Sequence, residues 1–153
     1  MEGKSVIITG AASGQGEATA ILAAREGASV VCVDINDPQA TVGVITSAGG
    51  AAHAITGDTR ETSTWDAAVN YANTEYGGIY LLANVAGISP LFDGIIESTE
   101  ETWQRTIDIN LKSVWLGMRA VLPTMVEQGY GRIVNVASLA ATLGVGGLSS
   151  YTA

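Results

Sequence analysis

Short runs of apolar, largely β-branched residues alternate with longer segments of helical pattern, and this alternation restricts the chain more than any other feature. The short runs are Ser5–Thr9, Ser29–Asp34, Ala51–Thr56, Tyr80–Asn84 and Arg132–Ala137, and between them lie Gly14–Glu26, Pro38–Ala48, Glu61–Tyr76 and Glu100–Glu127. Their order reads βαβαβαβαβ. Val6-Ile7-Ile8 and Ile133-Val134-Asn135-Val136 show no polar alternation, as expected of parallel strands covered by helices on both faces. Right-handed crossovers then place the first two helices on one face and the next two on the other. The expectation is a doubly wound, three-layer α/β/α domain with strand order 3-2-1-4-5. A chain of 153 residues suits one such domain, residues 1–153.

Punctuation agrees with this division. Gly27, Gly49-Gly50, Gly77-Gly78 and Gly129 each follow a helical pattern, where a left-handed residue is expected. Ser98-Thr99-Glu100-Glu101 resembles an N-cap with an acidic first turn, and Ser63 or Thr64 beside Trp65-Asp66 could begin the third helix. Pro38–Ala48, with its threonines, valines and glycine, is the weakest helical segment.

Seven basic residues against fifteen acidic ones give a formal net charge of −8, the wrong sign for embracing nucleic acid or anionic lipid. A polyphosphate ligand would have to be held by local amide geometry. Cys32, the one cysteine, lies in the apolar run Ser29–Val33 and reads as a buried structural thiol. Met1-Glu2-Gly3-Lys4 runs straight into the first strand without a signal peptide, and no apolar stretch reaches the ~20 residues needed to span a bilayer. The sequence expectation is a cytoplasmic protein.

That amide geometry has an obvious location. Thr9-Gly10-Ala11-Ala12-Ser13-Gly14-Gln15-Gly16 follows the first strand directly and opens the first helix. Glycines there let the backbone turn sharply and approach a pyrophosphate, while the helix start offers free N–H groups and a positive dipole end. Asp34 closes the second strand, 18 residues after Gly16, where a carboxylate can accept from the adenosine ribose hydroxyls of a dinucleotide. That pattern favours NAD over its 2′-phosphorylated form.

The spacing Thr-Gly-x3-Gly-x-Gly resembles the short-chain dehydrogenase/reductase family, whose fold is Rossmann-type. The resemblance implies cofactor contacts from Thr9, Gly10, Ser13, Gly14, Gln15 and Gly16. Gln15 stands where the family usually has an aliphatic residue. Ser13 and Ile35 occupy positions where NADP-binding relatives place arginine or lysine. Asp58, followed by Thr59, resembles the family aspartate that meets the adenine ring, with a helix-capping role as its alternative. Asn84-Val85-Ala86-Gly87 resembles the family's Asn-Asn-Ala-Gly, so Asn84, Ala86 and Gly87 are further cofactor candidates, and Val85 is a departure.

Asn110, Ser138 and Tyr151, the last 13 residues after Ser138, match the order of the family's Asn-Ser-Tyr-Lys tetrad. The resemblance implies that the Tyr151 phenol exchanges a proton with a substrate alcohol or ketone, that Ser138 steadies the same oxygen, and that Asn110 kinks its helix and holds a relay water. A phenol's ordinary pKa of about 10 calls for a neighbouring cation, supplied in the family by a lysine four residues after the tyrosine. The sequence reads Tyr151-Thr152-Ala153, so the chain is expected to be the N-terminal part of a longer member, inactive alone, without the helix that begins near Tyr151 or the later strands. The resemblance also implies a homodimer or homotetramer at full length.

The alternative reading is a regulatory module that binds NAD without chemistry. A sugar-nucleotide epimerase would more commonly show Gly-x2-Gly-x2-Gly. His53 has no second ligand nearby to suggest a metal. Trp65, Trp103 and Trp115 read as core or oligomer packing, and Leu91, Phe92, Leu139 and Leu148 as candidates for either a substrate pocket or plain packing.

Overall fold

The computed structural model describes residues 1–90 and 93–153. Five parallel strands form one sheet: β1 (Lys4–Thr9), β2 (Ala28–Asp34), β3 (Ala51–Thr56), β4 (Leu81–Asn84) and β5 (Arg132–Asn135). Their order is β3-β2-β1-β4-β5, as expected from the sequence. Val6 pairs with Val30 and Ile7 with Val31, while on the other side of β1 Ile7 pairs with Leu82.

Period-two alternation is present, but both destinations are apolar. Val6, Ile8, Val30 and Cys32 pack with Ala20 and Ala23 of α1 (Gly14–Arg25) and with Val42 and Ile45 of α2 (Gln39–Ser47). Ile7, Val31, Val33 and Leu82 pack on the opposite face with Trp65, Ala68 and Ala72 of α3 (Thr62–Tyr76). Two-sided burial explains why these strands read as unbroken apolar runs. Trp65 is 1% exposed, and its indole N–H donates to the Thr59 carbonyl at 2.8 Å. The other two tryptophans divide from it, since Trp103 and Trp115 are 39% and 50% exposed.

The segment expected as one helix, Glu100–Glu127, has three parts. α4 (Glu100–Ile107) passes into a π-helical turn at Asp108–Lys112 and continues as α5 (Ser113–Glu127). Thr99 caps α4 by accepting from the Thr102 N–H at 3.1 Å. Leu116, Val121 and Met125 of α5 join the core shared with α3. β5 ends two residues earlier than its apolar run suggests. Among the described residues its one strand partner, β4, stops at Asn84, which leaves Val136 with one further bond to the Asn84 carbonyl and then no ladder. Two short helices follow, α6 (Ala140–Leu143) and α7 (Ser149–Thr152), so a single helical turn begins just before Tyr151. Among the described residues, no helix is long and apolar enough to cross a membrane.

Candidate functional site

The loop between β1 and α1 is held from three sides. The Ala11 N–H donates to the Val33 carbonyl, and the Ala11 carbonyl accepts from the buried Thr41 hydroxyl of α2 at 2.8 Å. The Ala12 N–H donates to Asp34 Oδ2 at 2.9 Å. Thr9 Oγ1 accepts from the N–H groups of Val85 and Ala86 at 3.0 and 3.1 Å, tying the end of β1 to the segment that leaves β4.

The three glycines answer to different constraints. Gly10 has φ +70°, and a Cβ there would lie 3.0 Å from the Ala86 nitrogen. At Gly16 a Cβ would lie 2.0 Å from the Gly10 carbonyl oxygen. Gly14 has φ +57°, and a Cβ there would meet nothing within 4 Å, so it alone of the three faces open space. Two of the glycines therefore serve contact of the chain with itself, and one leaves room for a ligand.

That room is a cavity of about 460 Å³ outside the carboxyl ends of the strands. Gly10, Ser13, Gly14, Gln15, Gly16, Asp34, Ile35, Asp58, Thr59, Ala86 and Gly87 all line it. Thr9 and Asn84 stand behind the wall. Asn84 is buried and donates to Asn135 Oδ1 at 2.9 Å, so its side chain links β4 to β5. Asn36, Val85, Ile88, Arg105 and Ile109 also line the cavity, and the sequence patterns do not single them out as cofactor contacts. Arg105 and Ile109 are four apart on consecutive helical turns and precede Asn110, a spacing that could have flagged them.

Ser13 occupies the N-cap position of α1, but its side chain makes no capping bond. The first N–H groups of this helix have no intrahelical partner, which suits an anion in the adjoining cavity. Asp34 is 9% exposed, and its Oδ1 accepts from the Asn36 N–H at 2.9 Å. Asp58 lines the cavity but does not cap α3. Its carboxylate accepts from the Arg60 guanidinium and from the Arg60 N–H at 2.9 Å, while α3 begins after Glu61 without a side-chain cap. The hydrogen bonds from Arg60 hold the Asp58 carboxyl below the usual range.

Asn110 lies inside the π-helical turn. Its Oδ1 accepts from the Ile88 N–H and its Nδ2 donates to the Ile88 carbonyl, each at 2.8 Å. Both polar atoms thus bond one residue of the cavity wall, and each keeps one further hydrogen-bonding position, a second lone pair on Oδ1 and a second N–H on Nδ2. Gly87 fits beside it, since a Cβ there would lie 3.3 Å from Asn110 Oδ1. Single π-helical turns inside α-helices are frequent at functional sites.

Ser138 follows β5, and its Oγ accepts from the Ala140 N–H at 3.2 Å at the start of α6. Tyr151 is half-buried in α7. Among the described residues no hydrogen bond joins Asn110, Ser138 and Tyr151 to one another, and none of the three lines the cavity. Leu139 is 70% exposed, Leu148 is half-buried, and Leu91 and Phe92 lie outside the described residues. His53 stacks on Tyr71 with ring centroids 3.6 Å apart.

Residues 4–153 match the family model described as short chain dehydrogenase. The chain belongs to this family. It is 40% identical over 152 residues to a cyclohexanol dehydrogenase of Acinetobacter sp. (strain SE19), covering 98% of this chain and 61% of that protein. Similarity to a 3-alpha-(or 20-beta)-hydroxysteroid dehydrogenase of Mycobacterium tuberculosis (strain ATCC 25618 / H37Rv) is 38% over 152 residues, covering 99% and 57%. A cyclopentanol dehydrogenase of Comamonas testosteroni is 37% identical over 152 residues, covering 98% and 60%. The chain thus spans about three fifths of the length of these short chain dehydrogenases.

Proposed function

We propose that this chain forms the cofactor-binding part of an NAD(H)-dependent dehydrogenase that interconverts a secondary alcohol and its ketone. The observation that carries the cofactor choice is Asp34, a carboxylate at the end of β2 in the wall of the cavity. Among the described lining residues the one cation, Arg105, comes from α4 on another wall. A 2′-phosphate would have to approach Asp34 without a cation from the loop beside it. Like charges 4 Å apart repel by about 4 kcal/mol at an effective dielectric near 20. A tenfold preference needs only about 1.4 kcal/mol.

The cavity walls suit such a dinucleotide: Gly14 leaves backbone open to a pyrophosphate, Asp34 and Asp58 stand at the adenosine end, and Val85–Ile88 form the opposite wall. When bound, NAD supplies the hydride acceptor. The chain's own residues then supply binding and proton chemistry. Tyr151 takes the proton from the substrate hydroxyl, or returns it to the ketone oxygen, through its phenol oxygen, and Ser138 Oγ donates a hydrogen bond to that oxygen. Asn110 fixes Ile88 so that this wall keeps its place. The relatives' names point to alicyclic secondary alcohols as first substrates to try, and the family resemblance to a homo-oligomer.

Calorimetry with NADH and NADPH tests the cofactor reading, with at least tenfold tighter NADH binding expected and an Asp34→Ala exchange narrowing the gap. Equal affinities would overturn it. Formation of NADH from cyclic and open-chain secondary alcohols by the full-length protein that carries these residues, with Tyr151→Phe as control, tests the reaction. Tight NADH binding with no turnover of any alcohol would favour a non-catalytic binding module instead.

A further inference from the structure

Beyond the cavity wall, the segment leaving β4 carries one more buried group. Asp93 is 4% exposed and pairs with Leu148 as an isolated parallel bridge. Its N–H donates to the Gly147 carbonyl at 2.7 Å, and its carbonyl accepts from the Ser149 N–H at 2.6 Å. Its Oδ2 accepts from the Ser150 N–H at 2.9 Å, from the Ser150 hydroxyl, and from the Ser149 hydroxyl at 3.3 Å. Ser150 Oγ also lies 3.3 Å from Thr106 Oγ1, which brings α4 into the same cluster.

Every one of these bonds falls on the residues just before Tyr151. α7 has four residues, and its N-cap position, Leu148, offers no side-chain acceptor. A single helical turn does not hold itself together in water. Its opening N–H groups are instead met by a residue distant in sequence, that of Ser149 by the Asp93 main-chain carbonyl and that of Ser150 by the Asp93 carboxylate, which also lies where a helix start favours negative charge. Among the described residues Asp93 has no ion-pair partner, so its charge is sustained by these donors. The Ser150 hydroxyl and the Ser150 N–H hold the Asp93 carboxyl down at about 2, and it stays ionised at any pH suited to alcohol oxidation.

The other end of the same segment is fixed as well. Ile88, in the cavity wall, is gripped on both sides of its backbone by Asn110. A short stretch of chain thus has one attachment beside the cavity and a second against the helix of Tyr151. We infer that Asp93 is a positioning residue for Tyr151, its carboxylate setting where the phenol stands relative to the cavity wall at Val85–Ile88. The inference rests on the dehydrogenase reading above.

The test combines amide hydrogen exchange with kinetics in the protein carrying these residues, using Asp93→Ala, Asp93→Asn and the milder Ser150→Ala. Asp93→Ala should speed exchange at Ser149 and Ser150 at least tenfold while the amides of α1 keep their protection. It should lower kcat at least tenfold, with NADH affinity unchanged within twofold and KM within threefold. Asp93→Asn retains an acceptor oxygen and should recover kcat to within about threefold of wild type, and Ser150→Ala should fall between the two. Unchanged exchange at Ser149 and Ser150 in Asp93→Ala overturns the clamp whatever the kinetics. Faster exchange with undiminished kcat overturns the positioning role, as does a parallel loss of NADH affinity in all three variants, which marks general unfolding. A wild type that protects these amides but turns over no alcohol overturns the dehydrogenase reading itself, and with it the role assigned to Asp93.

Discussion

Replacing Gly16 by alanine separates the two kinds of glycine in the loop. The new Cβ would stand 2.0 Å from the Gly10 oxygen and 2.4 Å from its carbonyl carbon, and 3.0 Å from the Thr9 oxygen. Ordinary contact begins near 3.4 Å, so the start of α1 must retreat by about 1.4 Å. All three obstacles are backbone, and the loop that would have to yield is pinned by Val33, Asp34 and Thr41. Overpacking of this kind costs about 1–3 kcal/mol, and the rigid neighbours place Gly16→Ala at the upper end. For a domain of this size about 3 kcal/mol corresponds to a fall in Tm of roughly 6–12 °C. NADH affinity should drop at least tenfold, because the helix start and the Gly14 turn are displaced together. Thermal melting followed by circular dichroism and calorimetric NADH titration measure the two effects. A variant with Tm within 1 °C of wild type and affinity within twofold would refute the close-contact argument.

The opposite outcome is expected at Gly43, inside α2, where a Cβ meets nothing within 4 Å and φ is not positive: Gly43→Ala should raise stability by about 0.4–1 kcal/mol, read as an upward shift in Tm. Cys32 is fully buried and burial pushes its thiol up to about 12, so a thiol reagent at neutral pH should leave the native protein unlabelled and label one equivalent after denaturation. Acid should loosen α7 early. Because the folded Asp93 carboxyl titrates at about 2 against an ordinary 3.8, its stabilising effect is complete above the ordinary value and declines as pH falls from there toward 2. Exchange protection at Ser149 and Ser150 should fade over that interval in the wild type and show no such pH-dependent loss in Asp93→Asn.

The strand order is readable because chain direction, crossover handedness and two-sided apolar runs leave few topologies. The cavity-lining glycines and Asp34 are readable for a related reason, since their meaning comes from standing at the ends of β1 and β2. The π-helical turn is not. Asp108-Ile109-Asn110-Leu111-Lys112 contains neither glycine nor proline, and the turn becomes intelligible only through the grip of Asn110 on Ile88, 22 residues upstream. Pro123 sits within α5 and does not end the helix, as local preference alone suggests it should. Arg105 is signalled only by its helical spacing from Ile109, whereas Asp93 carries no local signal because its importance is set by tertiary partners 54 to 57 residues away. Asp58 is legible as a site residue, but its engagement with Arg60 depends on a side-chain geometry that spacing does not encode.

Placing β1 at the middle of the sheet also sets an order of events during folding. Joining β1 to β2 pairs Val6 with Val30, whereas joining β1 to β4 pairs Val6 with Leu81, which closes a loop about three times as long. The longer closure costs about 1 kcal/mol more in chain entropy. The β1-β2-β3 half can therefore assemble first as the polypeptide emerges from the ribosome, while the cavity has only one of its walls. The second wall, Val85–Ile88 with Arg105 and Ile109, arrives with β4 and α4. A dinucleotide that touches both walls binds only after the halves have met, and it stabilises their union in proportion to the logarithm of its free concentration. Newly made chains in a cell rich in such a ligand would then be held together at the seam between β1 and β4.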